Sequence, residues 1–332
     1  MSQNGARPPP GKQGRYNRGV SAAHETVKRE LLVRLLDSVV SGLHGGFTYA
    51  EGYATGRSAG ATACPEASAI AALRVLGEFA DRLRGPVSVV LVGEDGDRLD
   101  ALREQLARVL AELPAVSVAT VAGDCDSALV PALERADALG APLFAYLDAT
   151  GARPPGYETV ARVGAGHHAD VLVAVDPADP LYSGELRRAG LTRVAHVELV
   201  DDDGYAQILL FATGTDTGLD RFKDELWSVD EFAGVRYRDP RDPDHELLDI
   251  SLEPHLGPLR RALVDRVAAT GGCPAGELRD YTRTTTIYRA ADALRALTGL
   301  VAAGRLSREP ERGRLTAKTV IHPSDRGHVD RW

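Results

Sequence analysis

The stretch "RVAHVELVDDDGYAQILLFAT", residues 193–213, decides the fold of this chain. Two apolar segments rich in Val, Leu and Ile flank the acidic sequence "DDDG" at 201–204. An Asp-Gly pair between two such segments predicts a tight turn and therefore an antiparallel β-hairpin. This hairpin is predicted to close a sheet that the preceding residues build.

Apolar runs and amphipathic segments alternate ahead of the hairpin. "VSVVLVGED" (87–95) is a continuous apolar run closed by acids, as expected of a strand covered on both faces. "DRLDALREQLARVLAEL" (97–113) has the spacing of an amphipathic helix. The same alternation predicts further strands at 47–51, 116–124, 142–151 and 169–176, and further helices at 24–43, 66–83, 126–139 and 155–165.

Strand–helix alternation of this kind predicts a doubly wound α/β sheet with helices on both faces. An antiparallel hairpin after the fifth strand is not the usual end of a dinucleotide-binding domain, but it is how class I methyltransferase folds close. The predicted fold is therefore a Rossmann-like sheet of the class I methyltransferase type. In such sheets ligands lie beyond the C-terminal ends of the strands.

The remainder of the chain has a different pattern. A helix is predicted at 219–232, and "RYRDPRDPDHE" (236–246) is polar and interrupted by proline. Three helices and a hairpin that follow predict a winged-helix module, at 257–270, 274–282, 286–303 and 304–323. The predicted organisation is a disordered basic tail at 1–23, an α/β domain at 24–235, a linker at 236–249, a winged-helix-like domain at 250–322 and a tail at 323–332.

Charge is unevenly distributed along the 332 residues. The net charge is −8, yet residues 255–332 hold 14 Lys and Arg against 8 Asp and Glu. This segment is therefore a candidate contact for nucleic acid, and a solvated arginine-rich surface is the alternative. The candidate nucleic-acid contacts lie on the second and third helices of the module: Arg279, Arg283, Arg289 and Arg295. The alternative is that the module binds a protein.

Several other classes of protein are disfavoured. The three cysteines, Cys64, Cys125 and Cys273, are far apart without a C-x-x-C pair, which argues against a disulfide framework and a cysteine-based zinc site. The histidines lack ligand spacing, so no metal is predicted, even at His167-His168. No apolar segment approaches the ~20 residues of a membrane span, and residues 1–20 lack the apolar core of a signal peptide. A cytoplasmic location is the default expectation.

Acidic residues close four consecutive predicted strands: Glu51, Glu94, Asp124 and Asp148. Carboxylates at one edge of a sheet accept hydrogen bonds from the hydroxyl and amino groups of a nucleoside, which predicts a cofactor site there. Glu94 is expected to bind ribose hydroxyls and Asp124 an adenine amino group. Asp148 is expected to lie nearest the acceptor, where it would orient that group or take up its proton.

Neighbouring residues complete the predicted site. The turn "EGYATG" (51–56) does not match G-x-G-x-x-G, but its glycines would let backbone amides approach a ligand. The alternative is an ordinary strand-to-helix turn. Helix capping is the alternative for Glu94, Asp95 and Asp148. Asp126 is expected to cap the fourth helix, which leaves Asp124 free for a ligand. With the acids above, the predicted cofactor-binding set includes Gly52, Tyr53, Gly56, Asp95 and Gly123.

Several of these motifs resemble the three-Cys-motif partner protein (TcmP) family. "FTYAEGYATG" (47–56) is similar to its first-strand signature, and Lys28 stands where the family keeps a lysine ahead of its first helix. "VVLVGEDGDRLDALREQL" (89–106) and "GLDRFKDELWSVD" (218–230) resemble its acid-closed second strand and its late helix. "VAGDCDSAL" (121–129) resembles its G-D element, and a winged-helix-like tail is also usual.

The resemblance implies a bacterial protein that binds S-adenosyl-L-methionine, with a cysteine-motif protein as partner. It carries cofactor binding to Glu51, Gly52, Glu94 and Asp124. The sequence departs from the family at Arg57, which would obstruct the cofactor or contact its carboxylate. It departs again where "DATG" follows the fourth strand without an aromatic residue to stack a base.

Two functions therefore stay open, with a third ranked below them. The first is transfer of a methyl group to an acceptor such as nucleic acid. The second is a catalytically degenerate methyltransferase fold that binds DNA or a protein through its winged helix. A nicotinamide-dependent oxidoreductase ranks lower, because the dinucleotide fingerprint is missing.

Overall fold

The predicted hairpin is part of an eight-stranded sheet. The computed structural model describes residues 21–56, 67–166, 168–177, 183–188, 190–229 and 234–324. The first fifteen elements in these ranges build the sheet and the helices around it. In chain order they are α1 (Ala22–Ser41), β1 (Phe47–Glu51), α2 (Ser68–Phe79), β2 (Val87–Gly93), α3 (Gly96–Leu110), β3 (Val116–Ala122), α4 (Cys125–Arg135), β4 (Leu143–Asp148), α5 (Tyr157–Val163), β5 (Ala169–Val175), α6 (Ser183–Arg188), β6 (Arg193–Asp201), β7 (Ala206–Thr213), α7 (Asp216–Leu226) and β8 (Val235–Arg238).

The order of strands confirms the predicted fold class. The sheet runs β3-β2-β1-β4-β5-β7-β6-β8. Strands β1 to β5 are parallel, and β7 pairs antiparallel with both β5 and β6. The order turns at β1, which lies between β2 and β4, so the C-terminal ends of these three strands meet at one edge. That turn is where ligands bind in doubly wound sheets.

Two apolar cores lie on the two faces of the sheet. On one face α1, α2, α3 and α7 cover side chains such as Phe47 and Tyr49. On the other face α4, α5 and α6 cover Ala50 and its neighbours. Burial on both faces explains why the central strands are uninterrupted apolar runs.

A C-terminal module (257–323) follows the sheet. Its hairpin and a two-residue strand form a three-stranded antiparallel sheet in the order β10-β11-β9. These elements include the three helices and the hairpin expected from the sequence, and their identity as a winged helix stays a prediction. They are α8 (Gly257–Thr270), β9 (Cys273–Pro274), α9 (Ala275–Thr285), α10 (Ala290–Ala302), β10 (Leu306–Glu309) and β11 (Val320–Pro323).

The module is held to the α/β part by side chains of α7. The ammonium of Lys223, fully buried, donates to the carbonyls of Thr282 (3.0 Å), Thr286 (2.7 Å) and Tyr288 (2.7 Å), and contacts that of Arg283. The indole of Trp227, on the same side of α7, donates to the carbonyl of Ile287 at 3.1 Å. Both contacts hold the segment between α9 and α10.

Two boundaries differ from the sequence-based ones. The predicted linker includes residues 236–238, but these belong to β8 and pair with β6, because Val235 and Tyr237 alternate with arginines and are buried. The helix predicted at 219–232 begins earlier and ends earlier, at Asp216–Leu226. α1 already begins at Ala22, inside the predicted tail, and residues 1–20 and 325–332 lie outside the described residues.

Candidate functional site

A cavity of about 480 Å³ opens where β1, β2 and β4 end. It collects residues from three separate stretches of the chain, after β1, after β2 and at the end of β4. Six of the sequence-predicted site residues are among them. The lining consists of Gly52, Tyr53, Thr55, Gly56, Glu94, Asp95, Arg98, Asp148, Thr150 and Ala152.

The turn after β1 forms one wall, and its shape depends on two glycines. A Cβ at Gly52 would lie 2.6 Å from both Cys125 Sγ and Leu147 Cδ2, so no larger residue fits without displacement. Gly56 has a left-handed φ of +45°. The guanidinium of Arg98 donates to the Gly56 carbonyl at 2.6 Å and so fixes the turn against α3.

The two acids after β2 have different surroundings. Asp95 is the N-cap of α3, since its carboxylate accepts from the backbone N–H of Arg98 at 3.1 Å. Glu94 is exposed and lines the cavity. Capping was the alternative for both residues, and the structure assigns it to Asp95.

Glu51 does not line the cavity. Its side chain is 3% exposed and accepts hydrogen bonds from Tyr49 Oη (3.0 Å) and Ser68 Oγ (2.5 Å). Burial raises the pKa of Glu51 to about 7, which the two hydrogen bonds only partly oppose. The carboxyl that the sequence places in the crevice therefore lies behind its wall.

Asp148 reaches the cavity but is already paired. Its Oδ2 lies 2.6 Å from the ammonium of Lys28, which is 1% exposed and also donates to Thr150 Oγ1 at 3.1 Å. Burial alone would raise the pKa of Asp148, but Lys28 and hydrogen bonds from Thr150 and Tyr146 hold that pKa below its ordinary value. Burial would lower the pKa of Lys28, but Asp148 and Glu25, whose Oε1 lies 2.5 Å from the ammonium, raise that pKa above its ordinary value. Lys28 and Asp148 are therefore both charged. Asp148 is thus the anion of a buried ion pair, and the N-cap of α5 is Gly156.

The two acids after β3 have other roles than those expected from the sequence. Asp124 is the N-cap of α4, with its carboxylate accepting from the Ser127 N–H at 3.1 Å, so the expectation that Asp126 caps this helix was wrong. Asp126 instead accepts from the Gly156 N–H and from Thr159 Oγ1, both at 2.7 Å. It therefore ties the loop after β4 to α4. Neither Gly123 nor Asp124 is among the residues that line the cavity.

The arginines predicted to contact nucleic acid are mostly committed within the chain. Arg283 pairs with Asp216, Asp220 and Asp280. The nearly buried Asp292 holds the other two, which are Arg289 and Arg295. Arg279, in contrast, is exposed.

The described residues show neither a metal site nor a membrane-spanning helix, and three residues singled out in the sequence lie outside them. Among the residues described, no group of three His, Cys, Asp or Glu side chains is arranged to hold a metal ion. In the same part of the chain, no helix has the length and apolar character to cross a membrane. Arg57, Cys64 and His167 lie outside the described residues.

Four residues of the site are absent from the sequence-based set: Thr55, Arg98, Thr150 and Ala152. Arg98 lies on α3 and Thr55 lies in the turn after β1. No local sequence pattern indicates that this helix and this turn are close together. Thr150 lies two residues after Asp148, whose carboxylate accepts from the Thr150 backbone N–H at 3.2 Å; an Asp that accepts from the backbone two residues on is a recurrent turn signal. The sequence "DATG" carries that signal, so Thr150 was predictable.

Strand order and the closing hairpin together define the class I methyltransferase fold, with the cavity at the turn in strand order. No protein-family model matches the sequence, and comparison with curated proteins finds no match.

The solved structures that are similar to this chain include several methyltransferases. The METTL16 methyltransferase domain has 14% identity and a TM-score of 0.37 over 57% of this chain and 69% of that one. The m1A22 tRNA methyltransferase TrmK of B. subtilis has 10% identity and a TM-score of 0.30 over 81% of this chain and 93% of that one. M. capricolum TrmK, solved with S-adenosyl-homocysteine, has 8% identity and a TM-score of 0.30 over 54% and 67%. The strand order, and not these similarities, establishes the fold class.

Proposed function

We propose that the cavity binds S-adenosyl-L-methionine and that the protein transfers the cofactor's methyl group. The observation that carries this proposal is the cavity itself, which opens at the turn in strand order of a methyltransferase-type sheet. Its volume of about 480 Å³ is in the range of small-molecule sites. An exposed carboxylate and a glycine turn on its wall fit a nucleoside with an amino-acid tail.

The lining residues suggest how the cofactor would be held. Glu94 would accept hydrogen bonds from the ribose, and the backbone between Gly52 and Gly56 would lie against the methionine part. Tyr53 and Asp95 complete the cofactor-binding set that lines the cavity. Glu51 would act indirectly, by supporting the end of β1. In this proposal Gly123 and Asp124 shape the start of α4 and do not touch the cofactor.

The bound cofactor would supply an electrophilic methyl group, so the protein's own task is alignment. Asp148 suits that task better than proton transfer. A carboxylate whose pKa is held down by Lys28 is a weak base, but its fixed position allows it to orient an acceptor that carries an N–H or O–H group.

Calorimetric titration of the full-length protein with S-adenosyl-homocysteine tests cofactor binding. We expect one site per chain, and at least a tenfold loss of affinity in Glu94→Ala. Glu78→Ala removes an exposed glutamate of α2 away from the cavity and is the matched control. Absence of both binding heat and thermal stabilisation would contradict the proposal. Transfer itself is tested by methyl incorporation from labelled cofactor into pooled RNA, DNA and protein.

A catalytically degenerate scaffold is the second candidate function. The commitment of Asp148 to Lys28 favours it, because the group nearest the expected acceptor is then structural. This candidate predicts cofactor binding without methyl incorporation into any of the three pools. Incorporation into one of them refutes it.

We also propose membership of the three-Cys-motif partner family, on the strength of the quoted motifs and the buried Lys28 on α1. A partner carrying a cysteine motif would follow from that membership. Co-purification of such a protein with a tagged copy of this chain is the test.

A further inference from the structure

The basic residues of the C-terminal module fall into two groups. Four of those on or beside its helices pair with acids: Arg261, Arg283, Arg289 and Arg295. Arg260, Arg266 and Arg279 are exposed there and form no ion pair within the described part of the chain. The second group lies on the basic hairpin (305–323), which comprises β10, β11, the residue before β10 and the loop between the strands. Its members are exposed and form no ion pair or side-chain hydrogen bond within the described part of the chain: Arg305, Arg312, Arg314 and Lys318.

One arginine fixes the shape of this loop. The Arg308 guanidinium donates to the carbonyls of Pro310 and Gly313, both at 2.9 Å, with longer contacts to two neighbouring carbonyls. Thr319 is buried, and its hydroxyl accepts from the Thr316 N–H at 3.0 Å on the other side of the loop. Buried Leu306 anchors the hairpin to the core. The cations therefore extend from an ordered scaffold, which reduces the entropy lost when they bind an anion.

Charge favours a polyanion at this surface. Residues 305–318 contain five basic and two acidic side chains, whereas residues 1–254 carry a net charge of −14. An approaching polyanion is consequently repelled by most of the molecule and attracted to the hairpin. Arginine is the side chain best suited to phosphate, which it binds through two parallel N–H groups.

Among the described residues the hairpin has no strongly exposed large apolar side chain, which argues against a membrane surface. Peripheral membrane binding combines cations with apolar side chains that enter the lipid. Within the described residues, the large apolar side chain that is strongly exposed is Leu252, which lies before α8 and outside the hairpin.

We propose that the basic hairpin docks a nucleic acid through its phosphate backbone. Binding would depend weakly on base sequence, since phosphate contacts position a ligand without reading it. If the protein is a methyltransferase as proposed, the docked nucleic acid would be its methyl acceptor. Only this part of the inference rests on the proposed function. Docking itself is independent of cofactor binding.

Fluorescence anisotropy with labelled 20-mer duplex DNA, duplex RNA and single-stranded RNA tests the proposal on the full-length chain. We expect the triple variant Arg312→Gln/Arg314→Gln/Lys318→Gln to weaken binding of at least one probe at least tenfold. The slope of log K against log salt should become shallower by about 0.7–0.9 for each phosphate that the variant no longer neutralises. The matched control is Arg84→Gln/Arg187→Gln/Arg188→Gln, which removes three exposed arginines from the α/β part.

The outcomes separate clearly. Unchanged binding in the triple variant, or equal weakening in the control, overturns the proposal. It is also overturned if the hairpin cations are needed for sedimentation with anionic vesicles but not for binding any probe. Thermal denaturation checks that each variant folds. Titration of the same variants with S-adenosyl-homocysteine distinguishes loss of docking from failure of the proposed function.

Discussion

The folded protein favours the protonated, uncharged form of the Glu51 carboxyl group. It lies behind the cavity wall, 3% exposed, and its pKa of about 7 exceeds the ordinary value of 4.5 because burial penalises the anion. The folded protein thus keeps a proton that the unfolded chain releases near pH 4.5. Stability should therefore fall as the pH rises from about 4.5 through about 7, by an amount on the order of 3 kcal/mol.

Glu51→Gln should remove this pH dependence, since an amide does not ionise. Its oxygen can accept from one of the hydroxyls of Tyr49 and Ser68, and its NH2 can donate to the other. We expect the variant to equal the wild type at about pH 4, below the unfolded pKa, and to exceed it in free energy of unfolding at pH 8. Urea denaturation at several pH values measures the difference. Glu78→Gln, an exposed substitution, should follow the wild-type profile. Parallel profiles for Glu51→Gln and wild type would contradict the argument.

Residue positions in the site were predictable, but residue roles were not. Glu51 and Glu94 both close an apolar strand, and the sequence treats them alike. The difference between them arises from α2, whose Ser68 donates to Glu51, whereas Glu94 is exposed in the part of the chain that the structure describes. Likewise, the first helical residue decides which of two neighbouring acids is the cap. α4 begins at Cys125, earlier than the pattern indicated, so Asp124 is its cap.

At the scale of elements, two acids around the start of α4 support different parts of the fold. Asp124→Ala removes the N-cap and should destabilise the protein by about 1 kcal/mol. Affinity for S-adenosyl-homocysteine should stay unchanged, because Asp124 does not line the cavity. Asp126→Ala instead frees the loop after β4, which includes Ala152 on the cavity wall, and should lower that affinity. Denaturation and calorimetry on both variants check the pair, and loss of affinity in Asp124→Ala would restore that residue to the cofactor site.

Most elements follow from local pattern, because strands buried on both faces and amphipathic helices have distinct periods. β8 did not, since its four residues are embedded among proline and aspartate. Pairing with the edge of β6, which is distant in sequence, makes them a strand.

At the scale of the whole molecule, one lysine joins the two parts of the chain. Lys223 is fully buried on α7 and binds carbonyls at the end of α9 and in the segment after it. The sequence gives no sign of this role, because Lys223 looks like any helix-surface lysine until the module packs over it. The carbonyl ends of a helix attract a cation, so the contact also complements the dipole of α9.

Lys223→Met keeps the apolar stem but removes the ammonium, leaving buried carbonyls without their donor. We expect a loss of roughly 2–5 kcal/mol, concentrated at the contact between α7 and the module. Hydrogen exchange should therefore accelerate in residues 282–300 while the amides of β1 to β5 keep their protection. Asp224→Ala, on the exposed side of the same helix, should leave both regions unchanged. If exchange in Lys223→Met rises equally in the sheet and the module, the two parts unfold as one cooperative unit, and Lys223 does not act as a separable clamp.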